Sequence, residues 1–216
     1  MKLHLGCGQK YFDGYINIDY PPSEHTVMNK TVADEFHNLL ELKYPANSVE
    51  EVRLHHVFEH FPRSVAAALL ASWNSWLKKD GILRIEVPDF YRTARSIFNP
   101  FCDESQKAIA MRHIFGSQEA HWAVHYDGYT QSNLKIFLEN FGFRINNFFP
   151  NSWKGTTHNI EVIATKIMDL NPDSSFQAAE RYLAKFMVDK SESEQAQLAK
   201  WLDDYKNQFS KTFSTF

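Results

Sequence analysis

The sequence predicts a doubly wound α/β fold, and three observations carry the prediction. Short apolar runs alternate with stretches of helical apolar spacing as far as Pro88. The first run opens directly into Gly6-Cys7-Gly8, and the second ends in an acid, Asp19. The chain has 216 residues, 44% of them hydrophobic, which suits one full domain with a modest extension and a core that needs no disulfides.

Each element follows in order. Lys2–Leu5 reads as the first strand, and Tyr15–Ile18, opened by Gly14 and closed by Asp19 and Pro21-Pro22, as the second. Thr31–Ala33 is a short third strand. Val52–His56 is the fourth, after the turn Pro45-Ala46-Asn47-Ser48. Between Ser64 and Leu77, the residues Val65, Leu69, Trp73, Trp76 and Leu77 recur at helical spacing. The basic pair Lys78-Lys79 and then Gly81 are what a helix C-terminus favours. Ile82–Val87 is a strand that Pro88 stops. Helices are expected over Phe90–Phe98 and Glu104–Phe115, then a loop over 116–129 that carries His121, His125 and the turn Tyr126-Asp127-Gly128. Thr130 can cap a helix to Phe141, with Gly142 as its stop. Arg144–Phe149 and Asn159–Lys166 close the sheet as two strands. Beyond Pro172, two amphipathic helices are expected, Ser174–Val188 and Ser193–Phe209.

Composition excludes several classes. Lys and Arg number 23 against 26 Asp and Glu, a formal charge of −3, so the basic face of a nucleic-acid binder is not expected. Cys7 and Cys102 make no disulfide scaffold and no paired metal spacing. His121 and His125 have i, i+4 spacing but lie in a glycine-bounded loop, so no metal site is expected. No apolar run reaches the roughly 18 residues of a membrane span, and no secretory h-region opens the chain. These point to a cytoplasmic protein.

The chemistry concentrates at the N-terminus. Glycines let a backbone come close to a ligand, and exposed N–H groups there favour an anion. An acid ending the second strand can accept both ribose hydroxyls of a nucleoside. Lys10 stands where a dinucleotide fingerprint needs its third glycine, and nine residues, Gly6 to Gly14, join strands that usually need a dozen or more. A dinucleotide is therefore disfavoured.

The stretch from Lys2 through Gly6-Cys7-Gly8 and Gly14-Tyr15-Ile16-Asn17-Ile18-Asp19 resembles the opening of class I S-adenosylmethionine-dependent methyltransferases, in the short-loop group. The likeness continues at His37-Asn38-Leu39, at Tyr44 to Val49, at His55-His56-Val57-Phe58-Glu59-His60-Phe61, at Leu77 to Leu83, around His125 to Thr130, and at Phe141-Gly142-Phe143. It implies a Rossmann-like seven-stranded sheet over residues 1–168, a helical extension over 169–216, and S-adenosyl-L-methionine as cofactor. Gly6, Cys7 and Gly8 would cradle its methionine part and Asp19 its ribose. Asn38, where the family usually has an aspartate, and Leu39 would meet the adenine, with Asp34 as an alternative to Asn38. His55 and His56 would line the methionine end, while His4 replaces an acid common in relatives.

Methyl transfer from a sulfonium needs alignment above all. Aromatic faces, from a chain 15% aromatic, can stabilise the cation. For a hydroxyl acceptor, His125 and His56 are the candidate bases. His121, Tyr126 and Asp127 are secondary. Glu59 and His60 read as ties at the start of the following helix. The expected function is methylation of a small molecule, a saccharide or a lipid-linked intermediate. The alternatives are a cofactor-binding protein that has lost catalysis and, less favoured, a dehydrogenase-like nucleotide binder. Residues 99–129 are expected to form a lid, and the tail helices either to contribute to it or to make a homodimer.

Overall fold

In the computed structural model, which describes residues 1–24 and 31–215, seven strands form one sheet. They are β1 (Lys2–Leu5), β2 (Ile16–Asp19), β3 (Glu35–Phe36), β4 (Val49–His55), β5 (Leu77–Pro88), β6 (Phe143–Ser152) and β7 (His158–Lys166), in the order β3-β2-β1-β4-β5-β7-β6. β1 to β5 pair in parallel, as expected. β7 is antiparallel to both of its neighbours. A five-residue link joins β6 to β7, and so short a connection between adjacent strands can only make a hairpin.

Several boundaries differ from the sequence reading, and two of the differences have a clear cause. The third strand is Glu35–Phe36, not Thr31–Ala33. Asp34 explains the shift: its N–H donates to the Asn17 carbonyl (2.7 Å), and its carboxylate accepts from the Asn17 N–H (2.8 Å). Ladder pairing therefore starts one residue later, at Ile18 opposite Glu35. The second difference is at α1 (Arg63–Trp76), where Lys78–Gly81 was expected to end the helix. Instead the chain turns extended at Leu77, because the N–H groups of Asn47 and Ser48 take the Ser75 and Trp76 carbonyls. Leu77 pairs with Val49 and Ile82 with Glu51, so residues 78–81 are a bulge inside β5, with Asp80 at φ +60°.

The remaining helices begin at side-chain caps. Asp89 caps α2 (Phe90–Ile97), and Asp103 with Gln106 boxes α3 (Glu104–Phe115). Thr130 with Asn133 boxes α4 (Gln131–Asn140), and Asn171 with Ser174 boxes α5 (Pro172–Leu183). α5 is shorter than expected and passes into a 3-10 turn at Ala184–Phe186. The Val188 N–H is taken by Glu194 at the start of α6 (Glu192–Thr212).

The strands alternate cleanly, one face apolar and the other polar. Leu3, Leu5, Ile18, Val52, Leu54, Leu83, Ile85, Val162 and Ala164 are buried in one cluster with Leu69, Trp73 and Trp76 of α1. Residues 169–215 complete this core rather than standing apart from it: Leu183, Tyr205 and Phe213 belong to the same cluster. The Trp76 indole N–H donates to the Thr212 carbonyl (3.0 Å), and Ser72 and Thr212 share a buried hydroxyl bond (2.7 Å).

The opposite face carries a line of hydrogen bonds with only one consistent set of directions. Arg53 donates to His55 Nε2 (3.2 Å), and His55 Nδ1 donates to His4 Nε2 (3.3 Å). His4 Nδ1 donates to Asn17 Oδ1 (3.0 Å), and the Asn17 amide donates to Asp34 Oδ2 (2.9 Å). Both imidazoles are neutral in this arrangement. Burial, aided by Lys10 and Arg53, pushes His55 down to about 3, and burial lowers His4 as well. The unfolded chain takes up these protons near pH 6.5, so the stabilisation is complete above that value and lost as pH falls toward 3. Lowering the pH from 7.5 to 5 is expected to cost about 1–2 kcal/mol in urea unfolding through His55. His55→Phe, which keeps a ring against Phe12, should shrink that loss; an unchanged pH slope would contradict the assignment.

Candidate functional site

The carboxyl ends of β1, β2 and β4 open into a cavity of about 760 Å³, the size of a small-molecule site. Its floor is the turn after β1. Gly6 sits at φ +68° with its N–H on the Ile18 carbonyl (2.8 Å), and a Cβ there would lie 2.3 Å from Val57 Cγ2. Gly8, at φ +54°, donates its N–H to Asp19 Oδ2 (2.9 Å). The Tyr20 N–H donates to Asp19 Oδ1 (2.8 Å), so two amides orient the carboxylate. Asn38 and Leu39 form another wall, and the Asn38 side-chain oxygen accepts from the Leu40 N–H (3.0 Å). From the segment after α3, Glu119, His121, Trp122 and Tyr126 close the remaining side.

His56 lies at the end of β4 in a left-handed conformation, φ +53°, which turns its ring into the cavity wall. Its Nδ1 contacts Glu59 Oε1 (3.2 Å) and its Nε2 contacts Glu86 Oε1 (3.4 Å). Burial works to lower this imidazole, but the two carboxylates outweigh it and lift it to about 9. The hydrogen bond from His56 in turn holds Glu86 down at about 2. The result is an imidazolium between two carboxylates. Its two N–H groups are both held by the carboxylates, and at neutral pH it has no lone pair to accept a proton.

Gly6, Gly8, Asp19, Asn38, Leu39 and His56 thus meet in one cavity. Other candidates stand outside its lining. Cys7 is buried beside it, with burial pushing its thiol up to about 12, so it is an inert packing group. His55 faces the polar side of the sheet against Phe12 (ring centroids 5.4 Å). His125 turns its Nε2 toward Glu59 (4.0 Å), while His121, ranked below it from sequence, lines the cavity. Asp34 is bound to Asn17, not to the cavity. The sequence reading missed Glu86 and Trp122. Glu86 had a signal, an acid alternating with Ile85 and Val87 at the end of a strand; Trp122 had none.

This sheet, with its cavity at the strand ends, is the fold of S-adenosylmethionine-dependent methyltransferases. A methyltransferase of that class from Methanosarcina mazei is similar over 77% of this chain and 92% of its own, at 15% identity and a TM-score of 0.50. A putative methyltransferase from Haloferax volcanii, solved with the activator Trm112, is similar over 79% and 83%, at 12% identity and 0.53. The 1,6-didemethyltoxoflavin-N1-methyltransferase of Burkholderia thailandensis, solved with its substrate and S-adenosylhomocysteine, is similar over 77% and 71%, at 15% identity and 0.51. At these identities the likeness is one of fold. No family model and no curated protein matches the sequence. Among the described residues, no helix is long and apolar enough to cross a membrane.

The two glycines can be told apart by substitution. Gly8→Ala meets nothing within 4 Å and should cost about 1–2 kcal/mol, the strain of a left-handed alanine. Gly6→Ala adds the collision with Val57 and should cost clearly more; equal urea midpoints for the two variants would refute this account of the turn.

Proposed function

We propose that the chain is an S-adenosylmethionine-dependent methyltransferase acting on a small molecule of the saccharide or lipid-linked class. The observation that carries this reading is the convergence of Gly6, Gly8, Asp19, Asn38 and Leu39 on one cavity that also holds His56 and His121. In this reading the Gly6–Gly8 backbone cradles the methionine part, the Asp19 carboxylate accepts the ribose hydroxyls, and Asn38 with Leu39 flanks the adenine. Cys7 and His55 support the turn and strand from behind. When bound there, the cofactor supplies a methyl group on a sulfonium, an already good leaving group.

The chain's own residues then have to orient the acceptor and receive its proton. His56, held as an imidazolium by Glu59 and Glu86, has both N–H groups committed to them and places a fixed positive charge at the cavity wall, near an acceptor oxygen. His121 is the imidazole on the lining that is placed to take a proton. His125, the other base candidate, serves instead through Glu59. Phe61, Trp122 and Tyr126 present ring faces of the kind that pack on a sugar ring or an acyl chain. Residues 1–168 form the catalytic unit, with the part of 99–129 that carries Glu119 to Tyr126 as its lid.

Calorimetry with S-adenosylmethionine and S-adenosylhomocysteine tests the cofactor, and binding of neither would overturn the reading. Asp19→Ala removes a charged acceptor and is expected to weaken binding by at least about tenfold, since one charge-assisted hydrogen bond contributes about 1.5–3 kcal/mol. An unchanged dissociation constant would overturn the ribose assignment. Binding without transfer to any sugar or lipid-linked acceptor would favour the non-catalytic alternative.

A further inference from the structure

Next to the cavity lies a second cluster, which the reading above uses only through the contact of Glu59 with His56. Glu59 and His60 lie in the 3-10 turn Phe58–His60 that follows β4, and His125 lies in the loop after α3. One ligand-type atom from each comes within 4.8 Å of the others. The loop is fixed there by its backbone. Gly116, at φ +87°, lets the chain pass the Ala123 carbonyl, which a Cβ would meet at 2.3 Å. The Tyr126 N–H donates to the Glu59 carbonyl (2.8 Å), so the loop and the turn are stitched together.

The hydrogen bonds decide which atoms face inward. His60 Nδ1 contacts the Val124 carbonyl (3.1 Å), and His125 Nδ1 contacts the Ile114 carbonyl (3.2 Å). A carbonyl only accepts, so each Nδ1 carries the hydrogen and each neutral ring turns the Nε2 lone pair inward. The rings are perpendicular, with centroids 4.7 Å apart. Glu59 is 1% exposed; its Oε1 takes the His56 contact, and its Oε2 has no hydrogen-bond partner among the described residues. Two imidazole lone pairs and the buried Glu59 carboxylate come together, with His125 Nε2 4.0 Å from Glu59 Oε1. Backbone carbonyls that orient ligating imidazoles through Nδ1–H are the usual second layer of a metal site.

We propose that Glu59, His60 and His125 bind one divalent transition-metal ion of the zinc type. Two nitrogens and one oxygen suit zinc and its borderline neighbours, whereas magnesium prefers oxygen alone. Three protein ligands leave at least one coordination position for water or another group. The ion ties the end of β4 to the loop that walls the cavity. His60 belongs to the cavity lining, so the ion sits at its edge. Ion binding is independent of the cofactor reading: it is measured on the chain alone.

The full-length protein, stripped with a chelator, is titrated with zinc in competition with a chromogenic chelator. One equivalent is expected to bind. His60→Ala, His125→Ala and Glu59→Gln should each weaken it by at least about tenfold. His37→Ala, at an exposed histidine elsewhere, should leave it unchanged, and magnesium should not compete. Zinc binding that survives all three ligand variants, or that His37→Ala abolishes, would overturn the site. Should a ligand variant not fold, cobalt(II) added to the wild-type chain decides: intense four- or five-coordinate visible bands are expected, and a pale six-coordinate spectrum would refute the assignment.

Discussion

The line of hydrogen bonds from Arg53 through His55, His4 and Asn17 to Asp34 ties together the three strands whose carboxyl ends form the cavity. It crosses β4, β1 and β2 and ends at the residue that sets the start of β3. Its necessity follows from the nine residues between Gly6 and Gly14. A longer connection would lay a helix over this face and bury apolar residues beneath it. Here Phe12 reaches back, with its ring on His55 and on the Arg53 guanidinium (4.1 Å), and its N–H on Asn17 Oδ1 (3.0 Å). Under so thin a cover, the strand residues must satisfy one another. The same bonds fix the β1–β2 connection, and with it the Gly8 amide that orients Asp19.

Away from the cavity the same face is finished with charge. Arg53 and Arg84 both reach Glu161 Oε1, at 3.4 and 3.3 Å. Arg84 Nε also lies 3.3 Å from Glu51 Oε1, an ion pair whose angle falls outside hydrogen-bond geometry. These side chains are part-exposed, and such pairs contribute at most about 1 kcal/mol each. Burial of Trp73, Trp76, Tyr205 and the strand aliphatics on the other face is the larger stabilising effect, since each large side chain contributes about 1.5–3 kcal/mol. The apolar face therefore supplies most of the stability, and the charges on the polar face link β4, β5 and β7 across the sheet.

How legible the protein was in its sequence follows from the range of the interactions involved. Patterns within one element were readable: the glycine turn, the acid ending β2, the helix of Trp73 and Trp76, and the Thr130 cap. Boundaries set by distant partners were not. The shift of β3 to Glu35 depends on Asp34 meeting Asn17, and the end of α1 depends on Asn47 and Ser48, which precede it by a whole helix. The cavity residues of the first two strands were likewise legible, because a short loop places them. Roles that depend on ring orientation were not. His55 and His56 are adjacent, yet a single left-handed residue sends one ring behind the sheet and the other into the cavity wall. His121 and His125 exchange places because Gly116 steers the loop between them.

The end of β4 is where these effects combine. Within five residues, His56, Glu59 and His60 serve three surroundings: the cavity, the Glu86 carboxylate and the loop of His125. Glu59 joins them, since its buried carboxylate contacts His56 through Oε1 (3.2 Å) and lies 4.0 Å from His125 Nε2. A carboxylate so deeply buried is costly unless positive charge meets it on every open side. His56 meets it on one side, and a divalent ion between His60 and His125 meets it on the other. The loop that closes the cavity is attached to this same residue, through the Glu59 backbone carbonyl. Ion occupancy, His56 orientation and loop closure are therefore linked: any change that displaces Glu59 shifts all three together.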